Sequence, residues 1–428
     1  MRNAECGFFA ECGFFADCGL IADCGLIADC GLIADCGFIA DCGLNPNCGL
    51  NPNRGVNAES GREPIRNPQS AIHNQSAIRI PQSAMTTFDL VIVGYGNVAR
   101  RFVSLLSEQR RTLAHDHGVA ARVIATATRR HGYRYGGRKV EASSTLQFLG
   151  DALSKSRAAA RKTRLVVVET TTLDVLRGQP ATSHIRAALA GGAHVITANK
   201  GPVAFAYRSL TRAAARAGRQ FLFEGAVMDG IPIFNLVRET LPAVAVAGFR
   251  GVVNSTTNFI LTAMEQGQPF AAALAEMQAR GIAEADPSLD VDGWDAAAKT
   301  AALANVLLDA RITPHEVKRQ GLTAETRQLA VAAMAAGRRL KLVARARREG
   351  RKVVASVGCE ELPAADLLAG VEGHHNALVL ETDLLEEIAI VQRGGGLTAT
   401  AYALVSDLVT IARATAPPRR SARGRRSL

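Results

Sequence analysis

Beyond residue 84 the chain has almost no cysteine: eight of the nine, Cys6 to Cys48, precede that point, and Cys359 stands alone after it. A single thiol excludes a disulfide framework from this part and suits a reducing, cytoplasmic setting. Long apolar runs are missing as well, so no segment reads as a membrane span. Nor is there a secretory signal, because no basic segment leads into a continuous apolar core and an Asp or Glu interrupts the first half of the opening stretch every six residues. Aromatics are scarce, and none interleaves with basic residues in an RNA-binding pattern, so no specific nucleic-acid partner is expected.

What the opening stretch holds is repetition. From Ala4 a six-residue unit recurs, Ala-Glu-Cys-Gly-Phe-Phe and later Ala-Asp-Cys-Gly-Leu-Ile, decaying through Pro46-Asn-Cys-Gly-Leu-Asn to Pro52-Asn-Arg-Gly-Val-Asn. A second family, Asn67-Pro-Gln-Ser-Ala-Ile and His73-Asn-Gln-Ser-Ala-Ile, keeps the period until Met85. Three readings compete: a hexapeptide solenoid, a Cys-rich metal or redox module, and translated tandem DNA ahead of a start at Met85. The Gln-, Ser- and Asn-rich second family cannot continue a solenoid core, and metal modules pair cysteines two to four residues apart rather than singly every six. The expectation is that residues 1–84 are a low-complexity leader, disordered or no part of the native protein. That leader holds five Arg against nine Asp or Glu, a net of −4, so the rest of the chain carries +15 of the overall +11. Some of this excess lies in residues 416–428, which hold five Arg and no apolar periodicity and read as a disordered basic tail.

The chemistry concentrates in residues 281–299, where Glu284, Asp286, Asp290, Asp292 and Asp295 precede Lys299. Pro287 and Gly293 shape a loop, and Asp295-Ala-Ala-Ala-Lys299 reads as the first turn of a helix, with the two charges four apart on one face. Such a stretch can be a solvated acidic loop with a helix-supporting ion pair. Against that, the helix continues Thr-Ala-Ala-Leu-Ala-Asn-Val-Leu-Leu, so the charges stand at the mouth of a buried helix.

From Met85 onward the order is that of a dinucleotide-binding domain. Phe88-Asp-Leu-Val-Ile-Val93 reads as a strand and Gly94-Tyr-Gly-Asn-Val-Ala99 as the phosphate turn. In that turn Gly94 permits the bend, Gly96 admits the pyrophosphate, and small Ala99 lets the next helix pack. The next strand, residues 122–128, ends at Arg129 and Arg130, where a cofactor with a free ribose would call for an acid. These arginines suit a 2′-phosphate, or are a surface basic cluster. A third strand (164–169) leads to Thr170 and Thr171, a helix is expected over 183–191, and a fourth strand (194–197) delivers the loop lysine Lys200. Strand and helix alternate, which predicts a parallel, doubly wound α/β sheet. A helix over 204–217 and a strand over 220–223 complete it, and strands at 249–254, 338–348, 352–357, 377–382 and 387–392 predict a following α+β domain.

Several of these segments together resemble homoserine dehydrogenases. The matching blocks are Thr197-x-Asn-Lys200-x-Pro202, Glu224-x-x-Val227-x-x-Gly230-x-Pro232, Gly251-x-x-Asn254-Ser-Thr-Thr-Asn-Phe-Ile-Leu261, the Glu284-x-Asp-Pro to Lys299 stretch and the glycine turn Gly394-Gly-Gly396. With the phosphate turn they make six motifs in the family's order across residues 88–415. Ser255 replaces a glycine usual in the family, and the glycine turn lacks the usual alanine. The resemblance implies NAD(P)-dependent interconversion of L-aspartate 4-semialdehyde and L-homoserine, and Arg129 and Arg130 favour NADP, with NAD possible. It gives Lys200 and Lys299 the catalytic roles and Glu284, Asp290 and Asp295 the substrate. The cofactor falls to Gly94, Gly96, Asn97, Val98, Arg129, Arg130, Thr170, Thr171, Lys200 and Gly395. It also implies a sodium or potassium ion held by Glu224 and the carbonyls of Val227, Asp229 and Ile231, and a homodimer formed through the second domain. The expected partition is a cofactor domain at 85–228, a substrate and dimerisation domain at 229–392, and a turn and helix at 393–415 returning to the first. A phosphorylating semialdehyde dehydrogenase needs a nucleophilic cysteine, for which Cys359 is the only candidate beyond the leader. A non-catalytic Rossmann-fold sensor would not need both lysines and the acidic set.

Overall fold

A computed structural model describes residues 85–159, 163–279, 286–323 and 325–415. The leader, the basic tail and Glu284 lie outside the described residues.

Strand β1 (Thr86–Val93) is buried from Phe88 to Val93, so that stretch is apolar rather than alternating except at Asp89, which pairs with Arg122 at 2.6 Å. It sits in a seven-stranded sheet with β2 (Val119–Thr128), β3 (Gly132–Tyr135), β4 (Arg138–Val140), β5 (Arg164–Glu169), β6 (His194–Thr197) and β7 (Phe221–Leu222), in the order β4-β3-β2-β1-β5-β6-β7. The pairs from β2 to β7 are parallel, whereas β3 and β4 extend the β2 edge antiparallel. That hairpin departs from the all-parallel expectation. Its strands are three or four residues long and half exposed, too short to show a period.

Side chains of β1 alternate between two cores. Val91 and Val93 pack with α3 (Thr145–Ala158), α4 (Ala181–Ala190) and α5 (Lys200–Ala217) on one face. Phe88, Leu90 and Ile92 pack on the other with α1 (Asn97–Glu108) and α2 (Arg110–His117). Helix α5 begins at Lys200 rather than at residue 204, so the lysine expected in a loop is the first residue of a helix. Asn199 caps it by accepting from Gly201 N–H at 2.9 Å, and Pro202 falls in the first turn, where a missing N–H breaks no helical bond.

The second sheet runs β13-β12-β8-β10-β11-β9, from β8 (Val246–Val252), β9 (Lys318–Arg319), β10 (Arg338–Glu349), β11 (Lys352–Pro363), β12 (Asn376–Thr382) and β13 (Glu387–Gln392). All its pairs are antiparallel except β11 with β9. Cys359 lies within β11 opposite Leu342, not after the strand, which continues six residues past the expected end. Helices α6 (Ser255–Glu265), α7 (Phe270–Ala279), α8 (Trp294–Leu307) and α9 (Thr326–Ala335) join this sheet's core. Ser255 opens α6 and is absent from the positive-φ positions, so the missing glycine costs no backbone strain.

Helix α8 buries Ala296, Ala297, Ala298, Ala301, Ala302 and Ala304. Such small side chains let it lie closely along α5, and Asn305 on α8 donates to the Val203 and Ala204 carbonyls at 3.3 and 3.0 Å. Lys200 on α5 and Asp295 and Lys299 on α8 are thereby brought together. After β13 the chain passes back into α10 (Leu397–Ala414), whose Leu404, Leu408 and Ile411 fill the core face made by Phe88, Leu90, Ala99 and Phe102.

Candidate active site

At the carboxyl end of β1, Gly94 has φ +89°, and a Cβ there would stand 2.6 Å from the Thr170 carbonyl carbon. Only glycine allows β1 to turn beneath the end of β5. Thr170 N–H closes the turn on the Val93 carbonyl at 2.9 Å and its hydroxyl donates to the Gly94 carbonyl at 2.6 Å. Gly96 is the N-cap of α1, no side chain caps it, and nothing lies within 4 Å of where its Cβ would be. The first N–H groups of α1, from Asn97 and Val98 onward, therefore have no side-chain cap and open space beside Gly96. Arg129 and Arg130 follow β2 in an exposed turn, at the neighbouring strand end.

Glu169, which the sequence reading passed over as a strand end, organises the rim. Its wholly buried carboxylate accepts from Thr171 N–H at 3.0 Å, from the Thr171 hydroxyl, and from Thr197 Oγ1 at 3.0 Å. Asn199 adds a donation to the Thr171 carbonyl at 3.0 Å. The threonine loop and the lysine helix are thus tied into one edge.

Above that edge lies the charged cluster. Asp295 Oδ1 is 3.0 Å from Lys200 Nζ and its Oδ2 is 2.9 Å from Lys299 Nζ, with the three side chains only 14–18% exposed. Asn254, the N-cap of α6, donates to Asp290 at 2.7 Å and to Asp295 at 2.9 Å. Lys299 also donates to the Val253 carbonyl at 2.7 Å. An ammonium has three N–H bonds. Lys299 thus has one N–H left for a ligand and Lys200 two, counting partners among the described residues.

The electrostatics follow from this packing. Burial opposes a charge on Asp295, but the Lys200 and Lys299 ammoniums outweigh it and hold the carboxyl well below the usual carboxylate range. Burial likewise works against Lys299, and Asp295 with Asp290 and Asp229 reverses that, raising it above the ordinary lysine value. Asp290 is pushed up, by burial first and by repulsion from Asp295 second. The cluster therefore keeps both lysines' immediate carboxylate partner ionised while a second carboxyl beside it resists losing its proton.

The turn after β7 places Glu224 in the interior, where its two oxygens accept Phe234 N–H at 2.8 Å and Asn235 N–H at 2.7 Å. Burial pushes its carboxyl up. Buried Asp407 of α10 accepts Glu224 N–H at 3.0 Å, and burial together with the Glu224 charge holds Asp407 well above the carboxylate range. The Val227 and Asp229 carbonyls take no backbone hydrogen bond from the described residues, while Ile231's accepts Ile233 N–H at 2.9 Å. Gly395 stands against the Asp229 side chain: a Cβ there would lie 2.5 Å from Asp229 Oδ2.

Of the residues singled out from sequence, Lys200, Asp290, Asp295 and Lys299 meet in one corner. The phosphate turn, Thr170 and Thr171 line the adjoining edge. Asn254, Glu169 and the Asp229 carboxylate were missed as participants. The Asn-Ser-Thr-Thr cap pattern before α6 is the signal that would have placed Asn254 at a helix mouth.

Comparison with known proteins agrees with both halves. The family model described as "Homoserine dehydrogenase, NAD binding domain" matches residues 94–224, and the one described as "Homoserine dehydrogenase" matches residues 232–409. The NAD(+)-dependent homoserine dehydrogenase of Pseudomonas canavaninivorans is 34% identical over 345 residues, covering 76% of this chain and 97% of that protein. Homoserine dehydrogenase of Methanocaldococcus jannaschii is 39% identical over 251 residues, 58% of this chain and 73% of the relative. The crystal structure of a homoserine dehydrogenase from Thiobacillus denitrificans superposes with a TM-score of 0.67 at 30% identity, covering 77% of this chain and 74% of that one. The glycine turn and Lys200 thus fall inside the first matched region and Asp295 and Lys299 inside the second, and the chain belongs to the homoserine dehydrogenases, oxidoreductases that act with a nicotinamide cofactor.

Proposed function

We propose that the chain interconverts L-homoserine and L-aspartate 4-semialdehyde at the Lys200–Asp295–Lys299 corner, with NADP as the preferred cofactor and NAD as a possible one. The observation that carries this reading is the pair of lysines gripping one buried carboxylate at the carboxyl edge of the parallel sheet, beside the phosphate cradle. When bound, the nicotinamide supplies the hydride for the aldehyde or accepts it from the alcohol carbon.

The chain's own residues do the rest. The N–H groups left over on Lys200 and Lys299 meet the reacting oxygen, where negative charge grows in the transition state, and a lysine proton completes the alcohol. Asp295 orients both lysines and raises Lys299, holding it charged. Asp290 and Asp295, with Glu284 from the neighbouring loop, hold the substrate's ammonium and hydroxyl groups. Gly94, Gly96, Asn97 and Val98 hold the pyrophosphate, Thr170, Thr171 and Gly395 line the cofactor, and Arg129 and Arg130 pair with a 2′-phosphate. Their exposed position at the β2 end supports that pairing.

A sodium or potassium ion fits the turn at Glu224. Its carboxylate has lone pairs beyond those given to Phe234 and Asn235, and the Val227, Asp229 and Ile231 carbonyls add neutral oxygens of the kind a hard monovalent cation takes. A homodimer through the second domain is supported by the β12–β13 hairpin, where Leu384, Leu385 and Val391 are exposed. Cytoplasmic residence is supported by the lone thiol outside the repeats. The domain limits 85–228, 229–392 and 393–415 are those of this reading, with the repeats and the basic tail outside the working enzyme.

Cys359 does not favour the phosphorylating alternative. Burial inside β11 pushes its thiol up to about 11, the opposite of an activated nucleophile. The test is homoserine-dependent reduction of NADP⁺ and of NAD⁺ by the purified protein. Turnover with both, faster with NADP⁺, is expected, and replacing Arg129 and Arg130 together by Ala should lower kcat/KM for NADP⁺ about 10-fold or more, since a charge-assisted phosphate bond contributes roughly 1.5–3 kcal/mol. Unchanged discrimination in that double variant removes the arginines from the cofactor site.

A further inference from the structure

The chain crosses between the two sheets twice, outward through residues 226–232 and back through residues 392–397, and one carboxylate joins the crossings. Asp229, on the outward crossing, accepts Gly396 N–H at 2.9 Å and Gln392 Nε2–H at 3.3 Å through Oδ2, and the Thr400 hydroxyl at 2.8 Å through Oδ1. It therefore accepts the N–H of α10's N-cap residue from outside the helix's own chain segment, the bond that a third-position glutamate makes in a capping box.

The backbone is shaped around this contact. Asp229 is one of the few non-glycine residues with positive φ, at +48°, a conformation that costs free energy unless the surroundings hold it. Gly395 leaves the space its carboxylate fills. Gly230 leaves room for α10 itself, since a Cβ there would run into the Ala399 carbonyl oxygen.

The contact continues toward the reacting corner. Gln392 Oε1 accepts from Asn376 Nδ2 at 3.1 Å, and the same amide donates to Ser255 Oγ at 2.9 Å. Ser255 follows Asn254, whose amide holds Asp290 and Asp295. Ser255 stands where the family resemblance calls for a glycine, so this last link needs a side chain that a glycine could not supply. The Asp229 charge is also among those that raise Lys299.

We propose that the Asp229 carboxylate is a positioning residue for the dehydrogenase reaction: it latches the two crossings and, through Gln392, Asn376 and Ser255, sets the glycine turn of the cofactor domain against Asn254 and Lys299. The idea rests on the activity argued above but assigns Asp229 no contact with substrate. Its signature is a loss in the hydride-transfer step with each ligand's own affinity retained, because misplacing two correctly bound reactants slows their reaction without releasing either.

Two substitutions test this in the full chain. Asp229→Asn keeps the volume and tolerates the left-handed backbone, but its amide cannot accept on both sides. Thr400→Val removes one bond and leaves the charge in place. Expected are a fall in kcat of about 10-fold or more for Asp229→Asn and about 3-fold for Thr400→Val, with the Kd for NADP⁺ by fluorescence titration and the KM for homoserine within about 2-fold of wild type. The deuterium isotope effect on kcat with deuterated homoserine should rise in both. Should Asp229→Asn not fold, Thr400→Val decides alone. The latch is overturned if folded variants keep wild-type kcat and isotope effect, or if the loss falls on the NADP⁺ Kd, the homoserine KM or the sodium or potassium activation constant. Lys200→Ala run alongside separates the two ideas: full activity there defeats the proposed chemistry whatever Asp229 does.

Discussion

At the turn after β1, Gly94 and Gly96 expose only backbone, N–H groups fixed by a turn and a helix end. Around Asp295 the exposed chemistry is side-chain charge instead, two ammoniums and two carboxyls closed into one mostly buried corner. The first arrangement can bind but has no group whose proton moves. The second can move protons, yet it exists only because α5 and α8 pack along each other and Asn254 arrives from a third segment. One site is therefore vulnerable to a change of shape and the other to a change of charge.

The sharpest break in that contrast is removal of an ammonium. Lys200→Ala and Lys299→Ala should each lower kcat by about 100-fold or more, as loss of a single oxyanion-stabilising group does, with cofactor affinity by fluorescence titration unchanged. Near-wild-type turnover in either variant would take that lysine out of the chemistry.

Gly94→Ala should do the reverse. It adds no charge, but strained φ and a Cβ 2.6 Å from the Thr170 carbonyl carbon force the turn open. A strain of roughly 1–3 kcal/mol corresponds to an about 5- to 160-fold weaker cofactor Kd if it is relieved by moving the turn. A variant that binds cofactor normally would show that the cradle is not where the phosphate sits.

Asn254→Ala sits between the two regimes, since it leaves every charge in place and removes the donor shared by Asp290 and Asp295 together with the cap that accepts Thr257 N–H at the start of α6. Hydrogen bonds to charged groups contribute about 1.5–3 kcal/mol, so an increase in homoserine KM of about 10-fold is expected. An unchanged KM, with folding intact, would mean the two carboxylates hold their places without it.

The smallest effect at neutral pH separates the regions by acid sensitivity. In the cofactor sheet, burial, with Arg219 and Arg164 adding to it, lowers His194 from 6.5 to about 4. The unfolded chain takes up that proton as pH falls through 6.5 and the folded chain does not until about 4, so stability present above 6.5 drains away across that window. The total is on the order of 3 kcal/mol. His194→Asn, which can still accept Gln220 N–H, should leave Tm at pH 8 nearly unchanged and flatten its fall between pH 6.5 and 4. Identical acid curves for the two proteins would place the acid weakness elsewhere.

The two regions were also unequally legible in the sequence. The phosphate turn is local: Gly94, Gly96 and Ala99 follow a strand and precede a helix, and local spacing is what a sequence displays. Asp295 and Lys299, four apart on α8, were legible for the same reason. That Lys200 would join them was known only through the family resemblance, because nothing near residue 200 tells which helix it faces. Asn254 and Asp229 act through partners 36 to 171 residues away, a separation no periodicity records. The start of α5 at Lys200 was misjudged because Pro202 reads as a break, although proline is at home in a first turn. The β3–β4 hairpin was missed because it is too short to repeat.

Helix α10 has a consequence for how the enzyme is made. Ala99 and Phe102 bury themselves against Leu404 and Leu408, so the cofactor domain is not continuous in sequence. At about 5–20 residues per second, the roughly 300 residues between these partners take on the order of 15–60 s to synthesise. For that interval the part of this sheet face that α10 covers, beyond what α1 and α2 already bury, stays exposed on the ribosome while the second domain is made. The nucleotide site, first in the sequence, is among the last parts of the molecule to become whole.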